Sequence, residues 1–214
     1  MNKKILLVGG GGHCKSVLDT LIETKQYSEI GIIDKCENIG KHILGISIIG
    51  CDDDLSKFHK NGYNYAFVTI GSVGNTKHRI RLFDFLEKIG FDIPNIVDST
   101  SVISENANMS RGIYVGKNAV INAGASIDKG AIINTSATIE HDCTVGSFSH
   151  ISTGSVLCGE VHIGDNVHIG ANSVIKQQVK IGANTIIGMG SVVLNDIAGF
   201  MIAYGNPCKE VILK

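Results

Sequence analysis

The second half of the chain repeats an apolar residue at every sixth position. Each sixth residue from Val97 to Val193 is aliphatic or methionine, without a break in phase. An α-helix repeats its buried face about every 3.6 residues and a half-buried strand about every two, so neither element explains this period. The apolar positions, called anchors below, are Val97, Ile103, Met109, Val115, Ile121, Ile127, Ile133, Ile139, Val145, Ile151, Leu157, Ile163, Ile169, Ile175, Ile181, Ile187 and Val193.

The residues between the anchors are patterned as well. Four positions after an anchor the side chain is usually small, as at Ala125, Cys143 and Ser155, and Gly or Asn often follows an anchor within three positions. Gly and Asn tolerate the left-handed backbone of tight corners. A chain that turns a corner every six residues and stacks its coils in parallel meets both requirements. We therefore predict a hexapeptide-repeat parallel β-helix, with a C-terminal tail, over residues 97–214.

The first half alternates apolar strands with amphipathic helices. The predicted strands cover residues 3–9, 29–34, 65–71 and 93–97, and the predicted helices follow the first strand and lie near 52–60 and 75–89. Strands that alternate with helices are typical of a parallel α/β domain. We expect residues 1–96 to form a Rossmann-like domain.

Glycine and polar residues follow the predicted strands of this domain. The run Gly9–His13 comes after the first strand, Asp34 and Lys35 after the second, and Gly71 after the third. Parallel sheets bind ligands beyond the carboxyl ends of their strands, and a glycine loop before a helix lets backbone N–H groups approach a pyrophosphate. The dinucleotide fingerprint is incomplete, because Cys14 occupies the third glycine position. We predict a nucleotide bound through one sugar-pyrophosphate; a glycine turn used only for packing is the alternative.

Composition and charge narrow the function classes. Hydrophobic residues make up 43% of the chain and charged residues 18%, and no run of about 18 apolar residues occurs, so we expect no membrane insertion. The apolar run Ile5–Val8 is too short for a signal-peptide core. A formal net charge of −1 gives no basis for binding nucleic acid. The six cysteines show no CxxC pattern, and we expect free thiols in a reducing cytosol.

A histidine beside a carboxylate is the strongest candidate for chemistry. His141 stands two positions after the anchor Ile139, which predicts a corner or outer face rather than the core. An exposed histidine oriented by Asp142 is suited to act as a general base near neutral pH. An ordinary exposed histidine is the alternative. The four histidines of the repeat region are spaced nine, twelve and six residues apart, which matches no zinc ligand set, so we predict no metal.

The whole chain resembles the sialic acid O-acetyltransferase and UDP-amino-sugar N-acetyltransferase family. The resemblance rests on the N-terminal glycine-rich domain, on the segments Asn134–Asp142 and Gly146–Ser152, and on the tail Gly205-Asn206-Pro207. It implies a left-handed β-helix, a cytoplasmic homotrimer, and acetyl-CoA in grooves between neighbouring prisms. It also implies that His141 is the general base and that Asp142, where the amino-sugar enzymes usually have Glu, hydrogen-bonds it.

The same match implies the ligand contacts and the reaction. Acetyl-CoA would contact His150, Gly159, Ala171 and Gly188, and the nucleotide-linked sugar would contact Gly11, Gly12, His13, Asp34, Lys35 and Gly71. The implied reaction is direct N-acetylation of a UDP-linked 4-amino-4,6-dideoxy sugar in bacterial surface glycan synthesis, with a backbone N–H stabilising the oxyanion. O-acetylation of a sialic-acid-type sugar and a non-catalytic trimeric scaffold are the alternatives.

Overall fold

The computed structural model describes residues 3–211, which divide into two compact units. The first unit runs to Gly71 and resumes over Lys77–Ile96, and the second holds Ser72–Thr76 and the residues from Val97 onward. The short segment Ser72–Thr76 thus groups with the second unit although it lies in the first half of the sequence.

The first unit is built around one sheet. Its strands are β1 (Lys4–Val8), β2 (Glu29–Ile33), β3 (His42–Ile43), β4 (Ile46–Gly50) and β5 (Tyr65–Val68), and its helices are α1 (Gly12–Thr24), α2 (Leu55–Lys60) and α3 (Lys77–Ile89). The sheet order is β3-β4-β2-β1-β5, and all pairs are parallel except β3 with β4. The predicted Rossmann-like α/β class is confirmed. Strands β3 and β4 were not predicted; they form a hairpin around Leu44 and Gly45, both of positive φ.

A disulfide in the first unit corrects the expectation that all six cysteines are free. Cys36 and Cys51 are bonded, with their Cα atoms 5.1 Å apart. Cys36 follows β2 and Cys51 follows β4, and these strands are paired neighbours, with Ile33 opposite Gly50. The pairing was not apparent in the sequence because it depends on which strands are adjacent in the sheet.

Nearly all the strands of the second unit are two residues long, and short corners connect them. They are β6 (Ile96–Val97), β7 (Val102–Ile103), β8 (Asn108–Met109), β9 (Tyr114–Val115), β10 (Val120–Ile121), β11 (Ser126–Ile127), β12 (Ile132–Ile133), β13 (Thr138–Ile139), β14 (Thr144–Val145), β15 (His150–Ile151), β16 (Val156–Leu157), β17 (His162–Ile163), β18 (His168–Ile169), β19 (Val174–Ile175), β20 (Lys180–Ile181), β21 (Ile186–Ile187) and β22 (Val192–Val193). A closing hairpin follows, formed by β23 (Ile202–Gly205) and β24 (Cys208–Val211).

Each short strand pairs in parallel with the strand one coil away, so the chain forms a triangular prism. Val120, for example, pairs with Thr138, and His150 pairs with His168. The first face stacks β6, β9, β12, β15, β18 and β21 with the closing hairpin, the second face stacks β7, β10, β13, β16, β19 and β22, and the third face stacks β8, β11, β14, β17 and β20. The predicted left-handed parallel β-helix is confirmed.

The anchors fill the interior of the prism, and the small residues pack beside them. Anchors from Val115 to Val193 are at most 3% exposed, whereas the first three anchors are partly buried. Where the small residue is a serine, its hydroxyl donates to a backbone carbonyl of the next coil: Ser149 donates to the Gly164 carbonyl at 2.7 Å and Ser155 to the Gly170 carbonyl at 2.8 Å. Buried polar groups are stable only when paired in this way.

The corners use two separate glycine positions. Every sixth residue from Gly112 to Gly190 has positive φ, and non-glycine residues such as Asn166 and Asn184 share this conformation. The glycines directly after an anchor do not have positive φ. At Gly146 a Cβ would lie 2.6 Å from the Gly164 carbonyl carbon, so glycine there permits the close approach of the next coil.

Replacing Cys36 by serine is expected to lower the free energy of unfolding by about 3 kcal/mol in oxidising buffer. The bond links residues separated by 15 positions, which restricts the unfolded chain. Chemical denaturation followed by circular dichroism measures the difference, which should vanish in reductant. Equal stabilities in oxidising buffer, together with alkylation of Cys36 in the parent chain, would show that the bond does not form.

Candidate active site

His141 and Asp142 form a hydrogen-bonded pair at the corner between the second and third faces. The Nδ1 atom of His141 lies 2.9 Å from Oδ2 of Asp142, and the two side chains are 58% and 62% exposed. Neighbouring residues of a regular strand point to opposite faces, but Asp142 has a φ of 58°, which turns its side chain toward the ring. Aspartate, although one methylene shorter than glutamate, therefore reaches the imidazole.

The other ring nitrogen of His141 faces a small cleft. The cleft has a volume of about 160 Å³, and its lining residues are His141, Gly159, Glu160, Gln177 and Gln178. Gly159 lies against the ring: a Cβ there would contact Nε2 and would lie 2.6 Å from Cε1. When Nδ1–H donates to Asp142, Nε2 carries the lone pair, so the basic nitrogen points over Gly159 into the cleft.

Carboxylates determine the electrostatics of this corner. The hydrogen bond that His141 Nδ1 donates to Asp142 raises the pKa of His141 above its ordinary value, and the charges of Glu140 and Glu160 act in the same direction. Asn122 donates to Glu140 at 3.0 Å and the Gln178 amide donates to Glu160 at 3.2 Å.

The residues expected to contact acetyl-CoA lie at three positions on the prism. Gly159 is beside His141, whereas Ala171 and Gly188 lie at the corner between the first and second faces. His150 lies on the first face, where Nδ1 is 3.2 Å from the Ser72 carbonyl oxygen and Nε2 is 3.2 Å from the Asn134 amide. The structure thus does not bring these residues together within one chain.

A second cavity, of about 370 Å³, opens at the carboxyl ends of the strands in the first unit. Its polar and glycine lining comprises Gly9, Gly10, Gly11, Asp34, Lys35, Asp52, Asp53 and His78, and the Cys36–Cys51 disulfide also borders it. This size is typical of small-molecule sites. A Cβ on Gly10 would collide with the Asp34 carboxylate, so glycine there keeps that group beside the loop.

The six residues expected to bind the nucleotide sugar separate into two groups. Gly11, Asp34 and Lys35 line the cavity, whereas Gly12, His13 and Gly71 do not. Burial, reinforced by the charge of Arg79, lowers the pKa of His13 to about 4. His13 is therefore neutral at pH 7 and lies within the first turn of α1.

Three of the cleft residues were not predicted from the sequence: Glu160, Gln177 and Gln178. Glu160 lies one coil beyond Asp142, and Gln177 and Gln178 lie two coils beyond the pair, so adding eighteen once or twice to those numbers identifies them once the coil length is known. Within residues 3–211 no group of three or more His, Cys, Asp or Glu side chains has the arrangement of a metal site. In the same range, no helix has the length and hydrophobicity needed to cross a bilayer.

Three family models match the sequence. Residues 4–86 match the PglD N-terminal domain, residues 102–129 the hexapeptide repeat of succinyl-transferase, and residues 160–195 the bacterial transferase hexapeptide (six repeats). A comparison with curated proteins finds no significant match.

Solved structures match the chain along its whole length. PerB from Caulobacter crescentus, in complex with CoA and GDP-perosamine, is 31% identical, with 99% of this chain and 98% of that chain covered and a TM-score of 0.91. The acetyltransferase domain of PglB from Neisseria gonorrhoeae, in complex with acetyl coenzyme A, is 30% identical, with 99% and 100% covered and a TM-score of 0.92. A histidine-to-alanine mutant of GDP-perosamine N-acetyltransferase from Caulobacter crescentus, bound to CoA and GDP-perosamine, is 30% identical, with 99% and 98% covered and a TM-score of 0.92.

The chain belongs to this hexapeptide-repeat acetyltransferase family. The resemblance inferred from the histidine segment, the glycine-rich domain and the tail is thereby confirmed. Membership also establishes the protein as an enzyme of the acetyltransferase class.

Replacing Gly159 by alanine is expected to lower acetyltransferase turnover by about 10²-fold, because the methyl group displaces the His141 ring and misplacement near 1 Å has costs of this size. Gly159 is not among the residues of positive φ, so alanine adds no left-handed strain and the thermal unfolding midpoint should change little. Steady-state kinetics and calorimetry measure both quantities. Full turnover in the variant would show that the ring position is unimportant.

Proposed function

We propose that this acetyltransferase transfers the acetyl group of acetyl-CoA to the amine of a UDP-linked 4-amino-4,6-dideoxy sugar, in bacterial surface glycan synthesis. The observation that carries the proposal is the His141–Asp142 pair, exposed at a cleft in a chain about 30% identical over its full length to acetyltransferases solved with CoA ligands. The Caulobacter crescentus relative is a GDP-perosamine N-acetyltransferase bound to GDP-perosamine, which favours a nucleotide-linked amino sugar over a sialic acid.

His141 acts as the general base in the proposed transfer. Its Nε2 takes a proton from the amine as the nitrogen attacks the thioester carbonyl, so the N–C bond forms as the C–S bond breaks. Asp142 holds the ring in the Nδ1–H tautomer and stabilises the imidazolium. The proton then passes to the departing CoA thiolate.

Five of the six cysteines are poorly suited to form an acyl-enzyme, which favours direct transfer. Burial raises the pKa of the Cys14 and Cys143 thiols to about 11 and also raises that of Cys208, while Cys36 and Cys51 form the disulfide. A thiol is nucleophilic only as its thiolate, which burial disfavours.

The cavity of the first unit is proposed to hold the nucleotide diphosphate. Backbone groups of Gly9–Gly11 lie at the start of α1, where N–H groups and the helix dipole favour phosphate, and Lys35 supplies a positive charge. Since the reaction consumes acetyl-CoA, we propose a cytoplasmic location, where reduction of Cys36–Cys51 is expected.

The second face is proposed as the contact of a homotrimer. Its outward side chains are Val102, Val120, Thr138, Val156, Val174 and Val192, and Val102 and Val174 are 64% and 39% exposed. The third face presents mostly polar groups, and Ser72–Thr76 contacts the first. Three copies with their second faces toward a common axis bring the Ala171 corner of one copy next to the His141 corner of its neighbour.

Replacing His141 by alanine is expected to lower kcat by about 10²-fold or more, the usual contribution of a general base. Release of CoA thiol should be measured with UDP- and GDP-linked 4-amino-4,6-dideoxy sugars, with CMP-sialic acid and with free sialic acid. We expect turnover with the amines and the highest kcat/KM with the UDP sugar. The control is His162→Ala, which removes another exposed prism histidine, hydrogen-bonded to Thr144 at 2.9 Å.

Other outcomes identify the alternatives. Turnover with sialic acid alone would make the protein an O-acetyltransferase, and no turnover with any acceptor would favour a scaffold. Unchanged kcat in the His141 variant would refute the base assignment.

Replacing Val156 by glutamate is expected to convert a trimer into monomers of 22.7 kDa, because three carboxylates would be buried near the axis. Sedimentation or light scattering gives the mass. Ser126→Glu, on the third face, should remain trimeric. A parent chain that is monomeric, or a Val156 variant that stays trimeric, would contradict the interface.

A further inference from the structure

The Asp142 carboxylate rests on a residue that has no side chain. Gly124 lies one coil before Asp142, and the Asp142 N–H donates to the neighbouring Ala123 carbonyl at 3.1 Å. A Cβ on Gly124 would collide with Oδ1 of Asp142 and would lie 3.2 Å from its Cγ. The two carboxylate oxygens are thus separately engaged: Oδ1 faces Gly124, and Oδ2 contacts the His141 ring at 2.9 Å.

We propose that Gly124 is a positioning residue for the His141–Asp142 pair. The space left by its missing side chain is the space that the carboxylate needs in order to reach Nδ1 of His141. A methyl group at position 124 pushes Oδ1 away and, because the carboxylate is planar, rotates or shifts Oδ2 from the ring. The inference rests on the proposed role of His141 as the base, but the geometry it concerns exists whether or not that role is correct.

Backbone strain has to be separated from this steric effect. Gly124 has a φ of 76°, so any side chain there also strains the backbone. Gly130 offers a matched control at another corner: its φ is 66°, and a Cβ there would lie 2.6 Å from Cδ1 of Phe148, again the residue one coil later. Alanine at either position therefore adds left-handed strain and a collision with the next coil, but only Gly124→Ala disturbs Asp142.

The decisive measurement is the titration of the His141 imidazole by NMR, which needs no substrate. Three carboxylates face this ring, those of Asp142, Glu140 and Glu160, and the Asp142 hydrogen bond raises its pKa most. Gly124→Ala should lower the titration midpoint of His141 toward that of Asp142→Asn, while Gly130→Ala leaves it unchanged. In an Asp142→Asn background, adding Gly124→Ala should change nothing further, because residues that act through one partner are non-additive.

Turnover supplies a second readout. We expect kcat to fall by about 10-fold in Gly124→Ala, a part of what a general base contributes, and the acid limb of the pH profile to move to lower pH as the base becomes weaker. Gly130→Ala should lower the thermal unfolding midpoint by about as much as Gly124→Ala does. Its kcat and its pH profile should stay those of the parent chain.

The outcomes separate this inference from the proposed function. If Gly124→Ala leaves the His141 midpoint unchanged while Asp142→Asn shifts it, Gly124 does not position the pair. If the alanine variant fails to fold, Gly124→Asn retains the Cβ in a residue that tolerates positive φ, and the same midpoint shift is expected. A shift in the midpoint without acetyl transfer to any of the tested acceptors would support the positioning role and overturn the proposed amino-sugar acceptor.

Discussion

The vertical stacking of residues eighteen apart is the constraint on which the β-helix and its candidate site depend. Each two-residue strand is too short to be stable alone and is held by parallel ladders to the coils before and after it. The same registry stacks the anchors into one apolar column and places corner residues above one another. A corner side chain therefore lies next to the residues eighteen positions before and after it in the sequence.

That registry explains how an exposed pair of side chains acquires a defined geometry. Surface ion pairs are usually weak and mobile, because long side chains lose entropy when they are ordered. His141 and Asp142 are short, adjacent and turned together by the positive φ of Asp142. Gly124 and Gly159, one coil before and one coil after, leave space for the carboxylate and the ring. The corner thus restrains the pair without burying it, and Nε2 remains accessible.

In the first unit, the ends of parallel strands rather than stacked coils bring the candidate site residues together. Here the carboxyl ends of parallel strands bring the glycine loop after β1 and the acid after β2 to one cavity. His13 shows that a place next to the glycine loop does not make a side chain part of the cavity. It lies in the first turn of α1, where burial keeps its pKa low, and Gly12 separates it from the glycines that line the cavity.

The sequence by itself determined the period-six prism, the α/β class of the first half and the corner position of His141. These follow from local rules, since the spacing of apolar residues sets the element and the element sets which side chains face the core. Only the tertiary structure decided the Cys36–Cys51 bond and the strands β3 and β4. The roles of Gly124 and Gly159 were also hidden. These features depend on which strands are adjacent and on which atoms meet across coils, and such distances are not encoded in the spacing along the chain.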